Sequence, residues 1–230
     1  MALTSLADVQ LRALDQVEYL VSAGCPDYRA ERLPAAFRGL LSDPDTVALL
    51  TSSEVAALSD LESRLEGSCE QIAAELPTTV LHGDLTPWNV ARTRAGIVLF
   101  DWANAFLGPP FLDCFILLTS KQAPSRRRRL ASAYANRWLA ARPAARDREA
   151  MWGQISAIWG ATYALIGDRH RRVLTAGPRE AAAADVRRAI RFCGRQLGLS
   201  PFRCIGRKSR RPARGGAAQE GEGLVATIVE

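Results

Sequence analysis

The run His82-Gly83-Asp84-Leu85-Thr86-Pro87-Trp88-Asn89, followed by Asp101-Trp102, gathers side chains that can do chemistry together. Phosphoryl transfer needs a carboxylate near an acceptor hydroxyl. It also needs oxygen ligands for magnesium, which neutralises charge on the phosphate oxygens. An Asp five residues before an Asn, in a loop leaving a strand, can direct both toward one cavity. A second Asp at the end of a neighbouring strand can complete the metal shell. Taken singly, each residue is commonplace, because an Asp after Gly belongs to turns and an Asn to caps. The information lies in the combination.

These residues must be positioned by the segments around them. Residues 78–81 are β-branched and apolar and end at His82, and residues 97–100 form a second such run ending at Asp101. Residues 91–96 between them are polar and turn-like, so the pattern predicts a small two-stranded element framing a loop. Two short strands are not stable alone in water, and helices must cover them. Apolar residues at spacings of three and four predict helices over 5–24, from Pro34 to Leu41, and over 53–75. Ser52 or Ser53 is the candidate cap of the third, with Glu54 in its first turn. Further helices are predicted over 111–120, 126–141, 149–167 and 179–197. Trp102 reads as core, and His170, inside a polar run, as solvent-facing.

The segments VLHGDLTPWNV and GIVLFDWANAFLGPPFLD resemble the aminoglycoside phosphotransferase family and its choline kinase-like relatives. The Asp-to-Asn spacing and the later Asp also match the catalytic loop of protein kinases. The resemblance implies an α+β, mainly α fold: the large, C-terminal lobe of a protein-kinase-like structure with a small two-stranded catalytic element. It implies that Asp84 is the catalytic aspartate and that Asn89 and Asp101 are magnesium ligands. His82 and Asp113 would support the loop, and Trp88 would line the substrate side or pack. The implied cofactors are Mg2+ and ATP, and the implied reaction is phosphorylation of a small-molecule hydroxyl. The similarity extends more weakly from about residue 5 to residue 200.

Such kinases also have an N-terminal nucleotide lobe with a phosphate-contacting lysine. Here no lysine precedes Lys121, and neither a glycine-rich loop nor a G-x-x-x-x-G-K segment occurs. The expectation is therefore a truncated or degenerate member, inactive unless a partner supplies the nucleotide lobe. The alternative is a non-enzymatic helical scaffold or interaction module.

Composition narrows the remaining classes. The chain has 230 residues, with the kinase-like lobe expected over 1–202 and a basic Gly/Arg-rich tail over 203–230 that reads as disordered. Residues 1–120 hold 16 acidic and 7 basic side chains, whereas residues 121–230 hold 8 and 23. The acidic half suits a cationic acceptor such as an aminocyclitol or a choline-like amine. The basic half includes Arg126–Arg129 and the tail residues Arg203, Arg207, Lys208, Arg210, Arg211 and Arg214. Phosphate backbones would accept such charge, but no zinc-finger spacing or aromatic stacking pattern accompanies it, so a solvated face or disordered tail is expected rather than a nucleic-acid partner. Five scattered cysteines form no CxxC pair, which argues against structural zinc and fits a reducing compartment. No signal peptide and no apolar run near 20 residues is visible, so a cytoplasmic protein without a membrane partner is expected.

Overall fold

Leu3, Leu6, Ala7 and Gln10 follow one another at spacings of three, one and three, and all four are buried. They set the inner face of α1 (Ala2–Arg12). The computed structural model describes residues 2–113, 124–141 and 148–202. The single helix predicted over 5–24 is broken after α1 by a 3-10 turn at Leu14–Gln16, and α2 (Val17–Ser22) buries none of its residues. Only the first half of that apolar pattern finds a core to face.

Next come α3 (Leu33–Leu41), α4 (Pro44–Val47), α5 (Ser52–Ala56) and α6 (Leu58–Glu75). The stretch predicted as one helix over 53–75 is thus two, with a break at Ala57. The cap also differs from expectation. Thr51 takes the position, with its hydroxyl accepting from the Glu54 amide and the Glu54 carboxylate accepting from the Thr51 amide. This reciprocal capping box satisfies two otherwise orphaned donors.

Two small antiparallel sheets follow, not one. β1 (Thr79–Leu81) pairs with β4 (Phe106–Gly108), with Leu81 opposite Phe106. β2 (Val90–Thr93) pairs with β3 (Gly96–Leu99), with Val90 opposite Leu99. The two apolar runs expected to form one element therefore belong to different sheets, and the segment taken for a turn contains a strand. The sequence concealed β2 because Arg92 and Thr93 are exposed, and β4 because it is three residues long and ends in Gly108.

The long helices α7 (Pro124–Ala141), α8 (Arg148–Val173) and α9 (Ala176–Gln196) complete the described elements, with a closing 3-10 turn at Ser200–Phe202. Of the helix predicted over 111–120, only the first residues are described. The basic tail lies outside the described residues.

The core joins Phe37 of α3, Leu61, Leu65 and Ile72 of α6, Ile155 and Ile158 of α8, and Val186 and Ile190 of α9. Helices α8 and α9 approach closely at Gly160, where an added Cβ would lie 2.9 Å from the Cys193 backbone nitrogen. Two ion-pair groups lock the periphery. Arg171, 4% exposed, bonds to Asp168 and to Asp43, joining α8 to the N-terminus of α4. Arg191 of α9 makes two bonds to Glu54. Burial opposes the Glu54 charge, but Arg191 and the Thr51 contacts outweigh it and hold the carboxyl below its usual range. Removing one member of such a pair would leave a buried charge unmatched, at a cost of about 3–5 kcal/mol.

Glycine position predicts opposite effects of one substitution. Gly160→Ala inserts a methyl against backbone and is expected to destabilise by about 1–3 kcal/mol. Gly67→Ala in α6 meets nothing within 4 Å and is expected to stabilise by about 0.4–1 kcal/mol. Urea unfolding of both variants checks this, and equal effects would refute the close α8–α9 contact.

Candidate functional site

β1 delivers the chain to His82 and Gly83, whose backbone amides both donate to one buried carboxylate. His82 N lies 2.7 Å from Asp113 Oδ2, and Gly83 N lies 2.9 Å from Asp113 Oδ1. Asp113 is 2% exposed. Gly83 has a φ of +77°, and a Cβ there would sit 2.1 Å from the Asn104 carbonyl oxygen. Only glycine fits, because both the left-handed backbone and the packing forbid a side chain.

Asp113 is in turn held from the opposite side. The Gln10 amide of α1 donates to Asp113 Oδ2 over a long 3.4 Å, and its carbonyl oxygen accepts the Tyr134 hydroxyl of α7. The Tyr134 oxygen accepts from the Phe111 amide at 3.2 Å. Phe111 adopts a φ of 79°, unusual for a bulky residue, immediately before the helical turn carrying Asp113. Its ring packs edge-on against Tyr134, with centroids 5.0 Å apart. The Gln10 backbone oxygen also accepts the Thr79 hydroxyl at 2.6 Å, tying α1 to β1. Every polar group in this buried cluster thus has a partner, as burial demands.

Beyond Gly83 the loop closes on itself. Asn89 Nδ2 donates to the Asp84 backbone oxygen at 2.8 Å and to Asp84 Oδ2 at 3.1 Å. The Thr86 amide donates to the same backbone oxygen. Both partners of Nδ2 are acceptors, which fixes the Asn89 amide orientation and leaves Oδ1 without a hydrogen-bond partner among the described residues. The Phe100 amide donates to the Asn89 carbonyl, and the Phe100 carbonyl faces His82 Nε2 at 2.9 Å. A carbonyl can only accept, so Nε2 carries the ring proton. Nδ1 then accepts from the Asp84 amide at 3.4 Å. His82 therefore joins the Asp84 loop to the chain entering Asp101, and its ring also packs on Trp102, with centroids 4.6 Å apart.

Asp101 is exposed and adopts a φ of 62°. That conformation is least costly for Asp and Asn among side-chain-bearing residues, but it still requires a stabilising context. Its carboxylate has no hydrogen-bond or ion-pair partner among the described residues. Among those residues no cluster of three or more His, Cys, Asp or Glu side chains forms a ready-made metal cage. Magnesium does not require one, since it is held by one or two protein oxygens together with phosphate and water. An unpartnered carboxylate and an unpartnered amide oxygen fit that donor set.

The other side of Asp84 opens into a cleft of about 290 Å³ lined by Asn104, Trp159, Tyr163, Ile166, His170 and Asp185, among others. Trp159 and Tyr163 stack with centroids 4.3 Å apart. Burial, and then the nearby Asp84 and Asp113 carboxylates, push the Tyr163 hydroxyl pKa up.

His82, Asp84, Asn89 and Asp113 are thus brought into one hydrogen-bonded group, with Asp101 attached through Phe100. Trp88 is 87% exposed. Trp102 is only half-buried at the edge of the core, with its indole nitrogen donating to the Leu99 carbonyl. His170 is exposed as predicted, but it also bonds to Asn104 Oδ1 at 2.9 Å and lines the cleft. Sequence reasoning missed Gln10, Asn104, Tyr134 and Tyr163. For Gln10 a signal existed: a polar residue completing the apolar stripe of α1.

The Asp113 carboxyl pKa is pushed up to about 6 by burial, against the opposing pull of the His82 and Gly83 amides. An unfolded Asp ionises near 3.8. Between these values the unfolded chain releases the proton first, so this group's stabilisation is complete below about pH 4 and is lost as pH rises through about 6. The loss is about 3 kcal/mol. Relative to Asp113→Asn, the native chain is expected to lose that stability between pH 4 and pH 6. Urea unfolding across this range checks it, and parallel curves would contradict it.

Comparison with known proteins adds one result. No individual curated protein and no solved structure matches the chain significantly. The profile of the Phosphotransferase enzyme family (APH) matches residues 5–152, a span that holds most of α1, both sheets, the whole 82–113 site and α7. Covering more than half of the chain, that match establishes that it belongs to the phosphotransferase enzyme family.

Proposed function

We propose that the 82–113 region is the acceptor and magnesium half of an ATP-dependent phosphotransferase site in a protein-kinase-like C-terminal lobe spanning residues 1–202. The observation that carries this reading is the Asn89 side chain, whose nitrogen donates to Asp84 and whose Oδ1 has no partner among the described residues, on a residue whose backbone carbonyl accepts the Phe100 amide next to Asp101. Asn89 Oδ1 and the Asp101 carboxylate would hold Mg2+, which supplies charge neutralisation at the phosphates. Asp84 receives the acceptor hydroxyl in the adjoining cleft and takes its proton as the oxygen–phosphorus bond forms and ADP departs. His82 fixes the loop through its two ring nitrogens, and Asp113 fixes it through two amides. His82 and Asp113 are positioning residues, because neither touches a reacting atom.

Tight binding of the nucleotide requires a further lobe, from a partner chain or another segment, and the magnesium half alone would hold it only weakly. Two observations support this. No lysine precedes Lys121 in these 230 residues. Large apolar side chains also stand exposed beside the site at Trp88, Val98 and Phe100, as on a surface that another element covers. A second reading, a non-catalytic helical scaffold, draws on the same missing lysine. Among the described residues no helix is long and apolar enough to cross a membrane.

Calorimetric titration with Mg2+ and ATP separates the two readings. Binding in the millimolar range or tighter, weakened more than about tenfold by Asp101→Ala, supports the phosphotransferase site. Asp84→Ala should leave that binding nearly unchanged while lowering any turnover by about 10²–10⁴-fold. A folded sample that binds no nucleotide would favour the scaffold.

A further inference from the structure

The cleft beside Asp84 has a composition that discriminates among acceptors. Of its two carboxylates, Asp185 is ion-paired with Arg188 on the same helix. Asp84 is left as the one lining carboxylate without a cationic partner among the described residues. An oligocationic sugar would need several such groups.

The aromatic wall does not form a cage for a quaternary amine either. Such cages surround a cation with several open ring faces. Here Trp159 is 4% exposed, with Tyr163 stacked on it and Phe192 edge-on at 5.3 Å. The cleft instead shows the half-buried Tyr163, with Ile166, Gly167 and Ala189 making the wall apolar. The Tyr163 hydroxyl has no hydrogen-bond partner among the described residues. At about 290 Å³ the space lies at the small end of ligand pockets, which run from about 300 to 1,000 Å³.

We propose that the acceptor is a compact, uncharged alcohol with an apolar ring body. Its reacting hydroxyl meets Asp84, its ring lies against Tyr163 and Ile166, and a second polar group meets the Tyr163 hydroxyl. Tyr163 is then a specificity-determining residue. This proposal rests on the phosphotransferase reading for the role of Asp84, but the binding itself does not require nucleotide.

The test is a nitrogen-15 NMR titration of the intact chain, without nucleotide, with four probes: tyrosol, 2-phenylethanol, choline and 2-deoxystreptamine. Tyrosol and 2-phenylethanol should shift the Tyr163 and Ile166 amides saturably, with tyrosol binding about three- to tenfold more tightly. Tyr163→Phe, which preserves the ring packing, should erase that advantage and leave 2-phenylethanol unaffected. Saturable shifts of these amides by choline or 2-deoxystreptamine at lower concentration than tyrosol would overturn the proposal, as would no binding by either aryl alcohol. Its failure would leave magnesium–nucleotide binding untouched, and absent nucleotide binding would leave the tyrosol result intact, so the two readings fail separately.

Discussion

One carboxylate, Asp113, holds two consecutive backbone amides, and the rest of the site depends on that clamp. Charge-assisted bonds at both oxygens fix His82 and Gly83 relative to the chain thirty residues further on. Once those amides are fixed, Gly83 must turn with positive φ, and Asp84 leaves the strand toward the cleft. Asn89 then closes the loop on Asp84, and His82 carries the same register across to Phe100 and so to Asp101. A short sheet alone could not enforce this, since β1 and β4 pair over only three residues each.

The clamp has a cost, met by surrounding structure. Burying a charged carboxylate is unfavourable, and the raised Asp113 pKa expresses it. The fold answers with three donors from two sides: the two loop amides, and Gln10 from α1. Tyr134 links that glutamine to the backbone of Phe111, so α7 also controls the turn from which Asp113 arises. Positive φ at Asp101 and Phe111 marks strain placed on both sides of the segment joining the sheet to the Asp113 turn.

Much of this was legible in the sequence because it is local. The Asp84–Asn89 bond spans five residues, and the helices α6, α8 and α9 follow from apolar spacing. What was hidden depended on long-range partners. β4 is too short and too apolar to show an alternation, yet it is the true partner of β1, so the two predicted strands were assigned to one element in error. Thr51 rather than Ser52 or Ser53 caps α5 because Glu54 answers it, a choice that depends on where the helix starts. Asn104 and Tyr163 owe their place in the cleft to the folding of α8 over the loop. No periodicity announces that.

Site-resolved amide hydrogen exchange at His82 and Gly83 tests the clamp most directly. In the native chain both amides should be protected close to the level set by global unfolding. In Asp113→Ala both should lose at least about tenfold in protection, beyond any change in global stability, while core amides in α6 follow global stability alone. Gln10→Leu, which keeps the carboxylate, should produce a smaller loss at the same two amides. Equal protection of His82 and Gly83 with and without the Asp113 carboxylate would contradict the dependence of the site on this clamp.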